Sequence, residues 1–203
     1  MDEVLRSDVV DVVFSIRGES IDPDYANALW HGISGVLGWI SHELRAGVHP
    51  LKGVTESGDR LVVARRAQLT LRLPQERAAE ALELRGARLD LGGVVEVGEA
   101  ALRQLAPYPV LYSHFVSLGL DEEEQFVAEA ARLVTAAGIE CKLIVGKRRG
   151  ASADAARISG FSLMLHGLSA RHSLQVQGAG LGCDRTLGCG IFVPHKTIAA
   201  VGT

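Results

Sequence analysis

The chain has 203 residues, of which 47% are hydrophobic and 22% charged, as is usual for a globular protein with one large domain or two small ones. The sequence contains no apolar run of about 18 residues and no N-terminal signal pattern, so we expect neither a membrane span nor export. Three cysteines are too few for a disulfide scaffold, so we expect a cytoplasmic protein.

The charge is unevenly distributed along the chain. The net charge of −3 argues against a polyanionic partner. Residues 1–138, however, carry 13 Lys/Arg and 21 Asp/Glu, a net of −8, whereas residues 139–203 carry 8 and 3, a net of +5. This asymmetry favours a basic face that binds nucleic acid, the alternative being a basic end that only keeps the protein in solution.

The first half of the chain predicts the order β-α-β-β-α-β. Residues 9–18 are rich in β-branched side chains and predict a strand. Asp22 and Pro23 then predict the start of an amphipathic helix, whose apolar positions continue to Ile40. Strands are predicted at 60–64 and 68–73, a helix at 74–84 and a strand at 94–97.

The same order is predicted again after Pro107 and Pro109, which mark a joint. Strands are predicted at 110–118, 142–145, 160–165 and 191–193, and helices at 121–137 and 169–176. The strands at 142–145 and 160–165 are expected to be joined by a basic loop. The sequence therefore predicts an α+β protein of two tandem ferredoxin-like (RRM-like) β-α-β-β-α-β halves, residues 1–106 and 107–203.

Five glycines lie within the 13 residues from Gly178 to Gly190. Glycine lets backbone N–H groups approach a phosphate closely and allows positive φ. Because this run follows a short helix and leads into a final strand, its context excludes a Rossmann fingerprint or a P-loop. We predict that the segment 178–196 grips an RNA backbone; the alternative is a tight turn.

A zinc site is the competing interpretation of the cysteines. The spacing between Cys183 and Cys189 lacks the usual knuckle, even with Cys141 and His195 added. We therefore predict small buried thiols and no bound metal.

The C-terminal sequence GLGCDRTLGCGIFVPHK resembles the glycine-rich signature of the CRISPR-associated endoribonucleases of the RAMP superfamily, closest to their Myxan-type branch. The stretches DYANAL, GVHPLKG and ARRAQLTLRLP are similar to the family as well, so the resemblance covers nearly the whole chain. It implies two ferredoxin-like halves and cleavage of CRISPR repeat RNA into guides without a cofactor. It also implies that the protein stays on the repeat-derived 3′ end, beside other proteins of a CRISPR effector complex.

The resemblance implies metal-independent attack of the ribose 2′-OH on the adjacent phosphate, with a catalytic histidine in or just after the first helix. We rank His49 first, because GVHPLKG matches the family and Lys52 supplies a nearby cation; His42 is second and His31 third. Each of them could instead be a solvated or helix-capping histidine. Tyr25 stands where family members often carry a histidine and is a minor candidate.

That departure at Tyr25 motivates a second hypothesis, a catalytically inactive subunit that binds the guide RNA end. A third hypothesis is a small-molecule sensor, which the basic C-terminal third disfavours. Arg65 and Arg66 adjoin on a predicted strand, so at most one is expected to touch a given RNA strand. The full set of predicted RNA-binding residues is Arg65, Arg66, Lys147, Arg148, Arg149, Arg171, Gly180, Gly182, Arg185, Gly188, Gly190 and Lys196.

Overall fold

The computed structural model describes residues 6–153 and 156–195. The first sheet and the helical segments that accompany it lie within the first 104 residues. In chain order they are β1 (Val9–Arg17), β2 (Ser20–Ile21), α1 (Ala26–Val36), a 3₁₀ segment (Gly38–His42), β3 (Gly47–Val48), β4 (Lys52–Ser57), β5 (Arg60–Pro74), two 3₁₀ segments (Gln75–Arg77 and Glu80–Leu84), β6 (Arg88–Asp90) and β7 (Val94–Gln104).

The second sheet and the helical segments that accompany it lie after residue 109. Its elements are β8 (Val110–Val116), α2 (Glu123–Ala136), β9 (Lys142–Ala153), β10 (Ala156–His166), α3 (Ala170–Ala179), a 3₁₀ segment (Arg185–Leu187) and β11 (Val193–Pro194).

Both sheets have the strand order of a ferredoxin-like unit. In the first sheet β1 pairs antiparallel with β5 on one side and β7 on the other, and β4 pairs with β5. The second sheet has the order β11-β8-β10-β9, with all pairs antiparallel. β1 thus lies between β5 and β7, and β8 lies between β10 and β11, as the first strand of a ferredoxin-like unit lies between its third and fourth strands. The predicted α+β fold of two such halves is confirmed.

Each sheet buries one face under its helices. Alternate residues of β1 point into the first core, where Val12 and Phe14 are fully buried with Leu29 and Ile33 of α1. In the second core the rings of Phe126 (α2) and Phe161 (β10) are tilted against each other with centroids 4.9 Å apart. Within residues 6–153 and 156–195, none of the helices has the length and apolar character needed to cross a bilayer.

Several predicted elements differ from the structure. The predicted helix at 74–84 is a pair of 3₁₀ segments, Gln75–Arg77 and Glu80–Leu84. Ala78, Ala81 and Leu84 are buried in this segment, and their spacing of three matches the three residues per turn of a 3₁₀ helix. The strands predicted at 60–64 and 68–73 form one strand, β5, whose pairing with β4 shifts register in its middle.

The predicted basic loop is also wrong, because Lys147, Arg148 and Arg149 lie within β9. The antiparallel ladder with β10 continues past them, with Arg148 opposite Phe161 and Arg149 opposite Gly160. The charged residues therefore stand on a long hairpin. The first helix begins at Ala26, later than predicted, since the Asp22 carboxylate pairs with Arg60 and caps no helix.

Candidate functional site

A cavity of about 250 Å³ lies where the first sheet meets the second half of the chain. The first half contributes side chains from β1, β4, β5 and β7, together with the loop after β3, and the second half contributes residues of α3 and β11. The lining residues are Asp11, His49, Lys52, Thr70, Arg72, Arg103, Gln104, Leu105, Ala106, Gln177, Val193 and Pro194. Two of the predicted catalytic residues, His49 and Lys52, thus share one cavity.

His49 is held in the wall of this cavity and is only 4% exposed. Its backbone N–H donates to the Thr70 carbonyl (2.9 Å), which fixes the loop after β3 against β5. Its Nε2 lies 3.4 Å from Asp11 Oδ1, which is within ion-pair distance. Nε2 has no well-formed hydrogen bond among the described residues. Burial lowers the pKa of His49, although Asp11 opposes this shift, so the imidazole is neutral near pH 7.

Asp11 is also buried, and it is paired with Arg72. Arg72 Nε donates to Asp11 Oδ1 (2.7 Å) and Nη2 donates to Oδ2 (3.1 Å), a bidentate pair between facing positions of β1 and β5. Burial alone would raise the pKa of Asp11. The contacts with His49 and Arg72 outweigh it and hold that pKa well below its usual range, so Asp11 is a carboxylate.

Lys52 and Tyr25 border the His49 loop from two sides. Lys52 opens β4 and is exposed, and its charge contributes to lowering the pKa of His49. The Tyr25 hydroxyl accepts a hydrogen bond from the Leu51 N–H (2.8 Å) and lines a small pocket with His49 and Pro50. Burial raises the pKa of Tyr25, so its phenol keeps its proton at neutral pH.

The other two predicted histidines do not line this cavity. His31 is exposed on α1, and His42 is exposed at the end of the 3₁₀ segment that follows α1. Only His49 of the three combines a carboxylate neighbour with a position on the cavity wall.

The four glycines at positions 180, 182, 188 and 190 all have positive φ, between +64° and +88°, as the sequence predicted for this segment. The space beside each of these glycines is filled by other atoms of the protein. A Cβ at Gly190 would stand 2.2 Å from the Leu181 carbonyl oxygen, and one at Gly182 would stand 2.2 Å from that of Ser117. The N–H groups of Gly180, Gly188 and Gly190 donate to carbonyls within the protein. The segment is therefore a tightly folded loop, and its contact with RNA stays a prediction.

Arg185 lies inside this loop and is half-buried. Its Nη1 donates to the Ala179 carbonyl (2.5 Å), and the side chain packs against Gly47 and Gly180. Burial, together with the charges of Arg72 and Arg45, lowers the pKa of Arg185 to about 10. Its Nε and Nη2 are buried and have no hydrogen-bond partner among the residues that the structure describes, and its contact with RNA stays a prediction.

The other predicted RNA-binding residues lie apart from the cavity. Arg65 and Arg66 are both exposed, at the register shift between β4 and β5, and Arg171 is exposed in the first turn of α3. On the β9–β10 hairpin Arg148 is exposed and pairs with Asp121 (3.1 Å), and Asp121 also accepts from Ser159. Lys196 lies outside the described residues.

The three cysteines are free. Cys189 is buried, as predicted, and burial raises its pKa to about 12. The expectation of a buried thiol is wrong for Cys183, which is exposed. Across residues 6–153 and 156–195, the His, Cys, Asp and Glu side chains form no group of three or more that could hold a metal ion.

Asp11 and Arg72 were not among the residues predicted from the sequence. Both interrupt apolar strands, in VVDVVF and LTLRLP, and they face each other in the strand register. A single charge of each sign within two pairing apolar strands is the signal that could have identified them, because buried charges need a partner.

A family model described as Cas6 Crispr matches residues 10–197. The CRISPR-associated endonuclease Cas6 of Myxococcus xanthus (strain DK1622) is 36% identical over 194 residues, which cover 95% of this chain and 84% of that protein.

Solved structures show the same fold. A CRISPR-associated protein Cas6 superposes with a TM-score of 0.66 at 12% identity, over 93% of this chain and 100% of the other. Cse3 of Thermus thermophilus, bound to an RNA representing a pre-cleavage complex, superposes with a TM-score of 0.55 at 13% identity, over 93% and 98%. Given a family match over nearly its whole length, the chain belongs to the Cas6 family of CRISPR-associated proteins.

Proposed function

We propose that this chain is a metal-independent endoribonuclease that cleaves CRISPR repeat RNA and remains on the repeat-derived 3′ end of the product. The observation that carries the proposal is the placement of His49, beside a carboxylate and on the wall of a cavity that also contains Lys52. Family membership and the endonuclease name of the Myxococcus relative support a CRISPR-associated endonuclease, and the RNA bound to the Cse3 neighbour supports an RNA substrate.

The proposed roles follow from the protonation states. Because Asp11 is ionised, it can only accept a hydrogen bond, and so His49 carries its proton on Nε2, which faces Asp11. The unprotonated Nδ1 is then the atom that takes the proton of the ribose 2′-OH. The 2′-oxygen bonds to phosphorus as the P–O5′ bond breaks, which leaves a 2′,3′-cyclic phosphate and, after protonation by solvent, a 5′-OH.

Lys52 supplies positive charge in this proposal. Negative charge builds up on the phosphoryl oxygens in the transition state, and a cation placed beforehand stabilises it. Lys52 and Arg103 both line the cavity, from β4 and β7, and both residues are exposed to solvent. They flank the space in which the scissile phosphate would have to lie.

The exposed basic residues of the β9–β10 hairpin are the proposed contacts to the repeat. A-form RNA is recognised by its shape and backbone, and cations on a long hairpin suit such a surface. Retention on the product would place the protein at the guide's 3′ end, where other proteins of a CRISPR effector complex would be its partners.

A second candidate function is a subunit that binds the guide RNA end without cutting it. The 4% exposure of His49 favours this alternative, because a base must reach the proton that it removes. The tyrosine at position 25, where the resemblance implies a histidine, favours it as well.

The test is incubation of the purified protein with the repeat RNA of its own genome in EDTA. Cleavage at one position, with a 2′,3′-cyclic phosphate end on the upstream fragment, is the expected result. Tight binding without this product would contradict the enzyme and support the binding subunit. A requirement for added Mg²⁺ would overturn the metal-independent chemistry.

A further inference from the structure

Arg72 connects the two halves of the molecule from a position with only 1% exposure. Besides its two bonds to Asp11, its Nη1 donates to the carbonyls of Gln177 (3.0 Å) and Phe192 (2.7 Å). Gln177 lies on α3, and Phe192 follows the glycine-rich loop. One guanidinium of the first sheet thus holds the second half at two points, and at the same time holds the carboxylate that faces His49.

We propose that Asp11 and Arg72 are positioning residues of the cleavage reaction: Asp11 orients His49, and Arg72 fixes Asp11 while it fastens the second half against the cavity. This inference rests on the proposed function of His49. It assigns to two buried residues a part in the reaction although neither needs to touch RNA.

The geometry separates this role from that of an ordinary buried ion pair. Asp11 Oδ1 accepts a hydrogen bond from Arg72 Nε at 2.7 Å and also lies 3.4 Å from His49 Nε2, so one carboxylate oxygen is in contact with both side chains. A pair needed for stability alone gains nothing from this third group, since well-packed apolar side chains often replace buried pairs without loss of stability. A carboxylate that fixes the ring and tautomer of a histidine is a recurrent arrangement in proton transfer.

The second half is tied to the same point. Gln177 is itself held, because its Nε2 donates to the Ala106 carbonyl (2.9 Å) in the segment that joins the two sheets. Gln177 and Val193 also line the cavity. If the second half moved away, Arg72 would lose two acceptors, and the restraint on Asp11 and His49 would weaken. Docking of the halves and the orientation of His49 are therefore coupled.

Charged and titratable groups border the cavities around His49 from five places in the first half of the chain. Asp11 raises the pKa of His49, whereas Arg72 and Lys52 lower it. The groups and their elements are Asp11 on β1, Tyr25 before α1, Lys52 on β4, Arg72 on β5 and Arg103 on β7.

The test compares pH–rate profiles of single-turnover cleavage for the wild type, Asp11→Asn, Lys52→Gln and Arg72→Lys. Loss of the Asp11 charge should move the acid limb to lower pH, and loss of the Lys52 charge should move it to higher pH. Arg72→Lys keeps the positive charge but loses the two-pronged guanidinium. Its cleavage rate should therefore fall by about tenfold or more, while the acid limb of the profile stays at the same pH. Unfolding curves would identify the temperature at which all variants are folded.

Two outcomes would overturn the inference. The first is an Asp11→Asn profile that coincides with that of the wild type while His49→Ala is inactive. The second needs no variant: ¹⁵N chemical shifts of the wild-type His49 ring should show the proton on Nε2, and a proton on Nδ1 would contradict the orientation by Asp11. Failure of the wild type to cleave would instead refute the proposed function, and the ring measurement would still test the contact between Asp11 and His49.

Discussion

Gly188 of the glycine-rich loop lies directly against Pro50, the residue that follows His49. A Cβ at Gly188 would stand 3.3 Å from both Cγ and Cδ of Pro50. Gly188 also has a φ of +88°, a conformation that side chains rarely adopt. The C-terminal motif that carries the family resemblance and the loop that carries the first-ranked histidine are thus packed together, although they are far apart in the sequence.

Gly188→Ala should therefore impair both stability and cleavage. The positive φ alone should cost about 1–2 kcal/mol of unfolding free energy. The added methyl group must in addition displace Pro50, and His49 with it, so single-turnover cleavage should fall by about tenfold or more. Urea unfolding and cleavage assays measure the two effects.

Gly86→Ala is the matched control. Gly86 has a φ of +80° but no neighbour within 4 Å of an added Cβ, so it bears the backbone cost without the collision. Its unfolding free energy should fall by about 1–2 kcal/mol, with the cleavage rate of the folded protein unchanged. Equal cleavage rates for the two variants would show that Gly188 does not act through the His49 loop.

Single substitutions of the three histidines test which of them is catalytic. His49→Ala should reduce single-turnover cleavage by roughly 10²–10⁴-fold, the usual contribution of general acid–base catalysis. RNA affinity should change little, because His49 is buried and Lys52 remains. His42→Ala and His31→Ala should cleave at the wild-type rate. Cleavage that survives His49→Ala but not His42→Ala would reverse the ranking.

Stability should fall as the pH falls below about 6.5. In the unfolded chain His49 takes up a proton near its ordinary pKa of 6.5, whereas in the folded protein burial lowers that pKa. Acid therefore favours the unfolded state between the two values. Asp11 acts in the same direction at lower pH: its folded pKa lies below the ordinary 3.8, so its contribution is lost as the pH falls further.

Urea unfolding at several pH values from 7.5 to 5 measures this effect. His49→Gln removes the titrating group and should flatten the loss of stability below pH 6.5. His114→Gln is the comparison, because burial also lowers the pKa of His114, but that side chain is exposed and should contribute less. Equal slopes for the wild type and His49→Gln would exclude His49 as the source of acid sensitivity.

The fold could be predicted from the sequence because its strands and helices carry clear patterns. The β-branched stretch of β1 and the acidic first turn of α2 mark their elements locally. The segment after Pro74 could not be assigned in this way, since its helix-forming residues suit an α-helix and only tertiary packing selects 3₁₀ turns. The strand at Lys147–Arg149 was missed because the partner strand, and not local composition, keeps those residues extended.

Only part of the candidate site could be predicted from the sequence. His49 and Lys52 were placed together because they are three residues apart. The contact of His49 with Asp11, and that of Arg72 with Gln177 and Phe192, join residues 38 to 120 positions apart. The His49–Asp11 contact depends on the strand pairing of the first sheet, and the Arg72 contacts depend on the docking of the two halves; no local pattern encodes either.

The β9–β10 hairpin should determine the salt dependence of RNA binding. Lys147→Gln should weaken binding and reduce the slope of log Kd against log salt by roughly 0.7–0.9, the value for one lost phosphate contact. Asp121→Asn should have the opposite effect, because it releases the Arg148 guanidinium that Asp121 now holds at 3.1 Å.

Arg132→Gln is the control, since Arg132 is an exposed cation paired within α2 to Glu129. Filter binding at several KCl concentrations measures the slopes. If Lys147→Gln and Arg132→Gln leave the slope equally unchanged, the hairpin does not contact the phosphates, and the basic surface for RNA must lie elsewhere on the molecule.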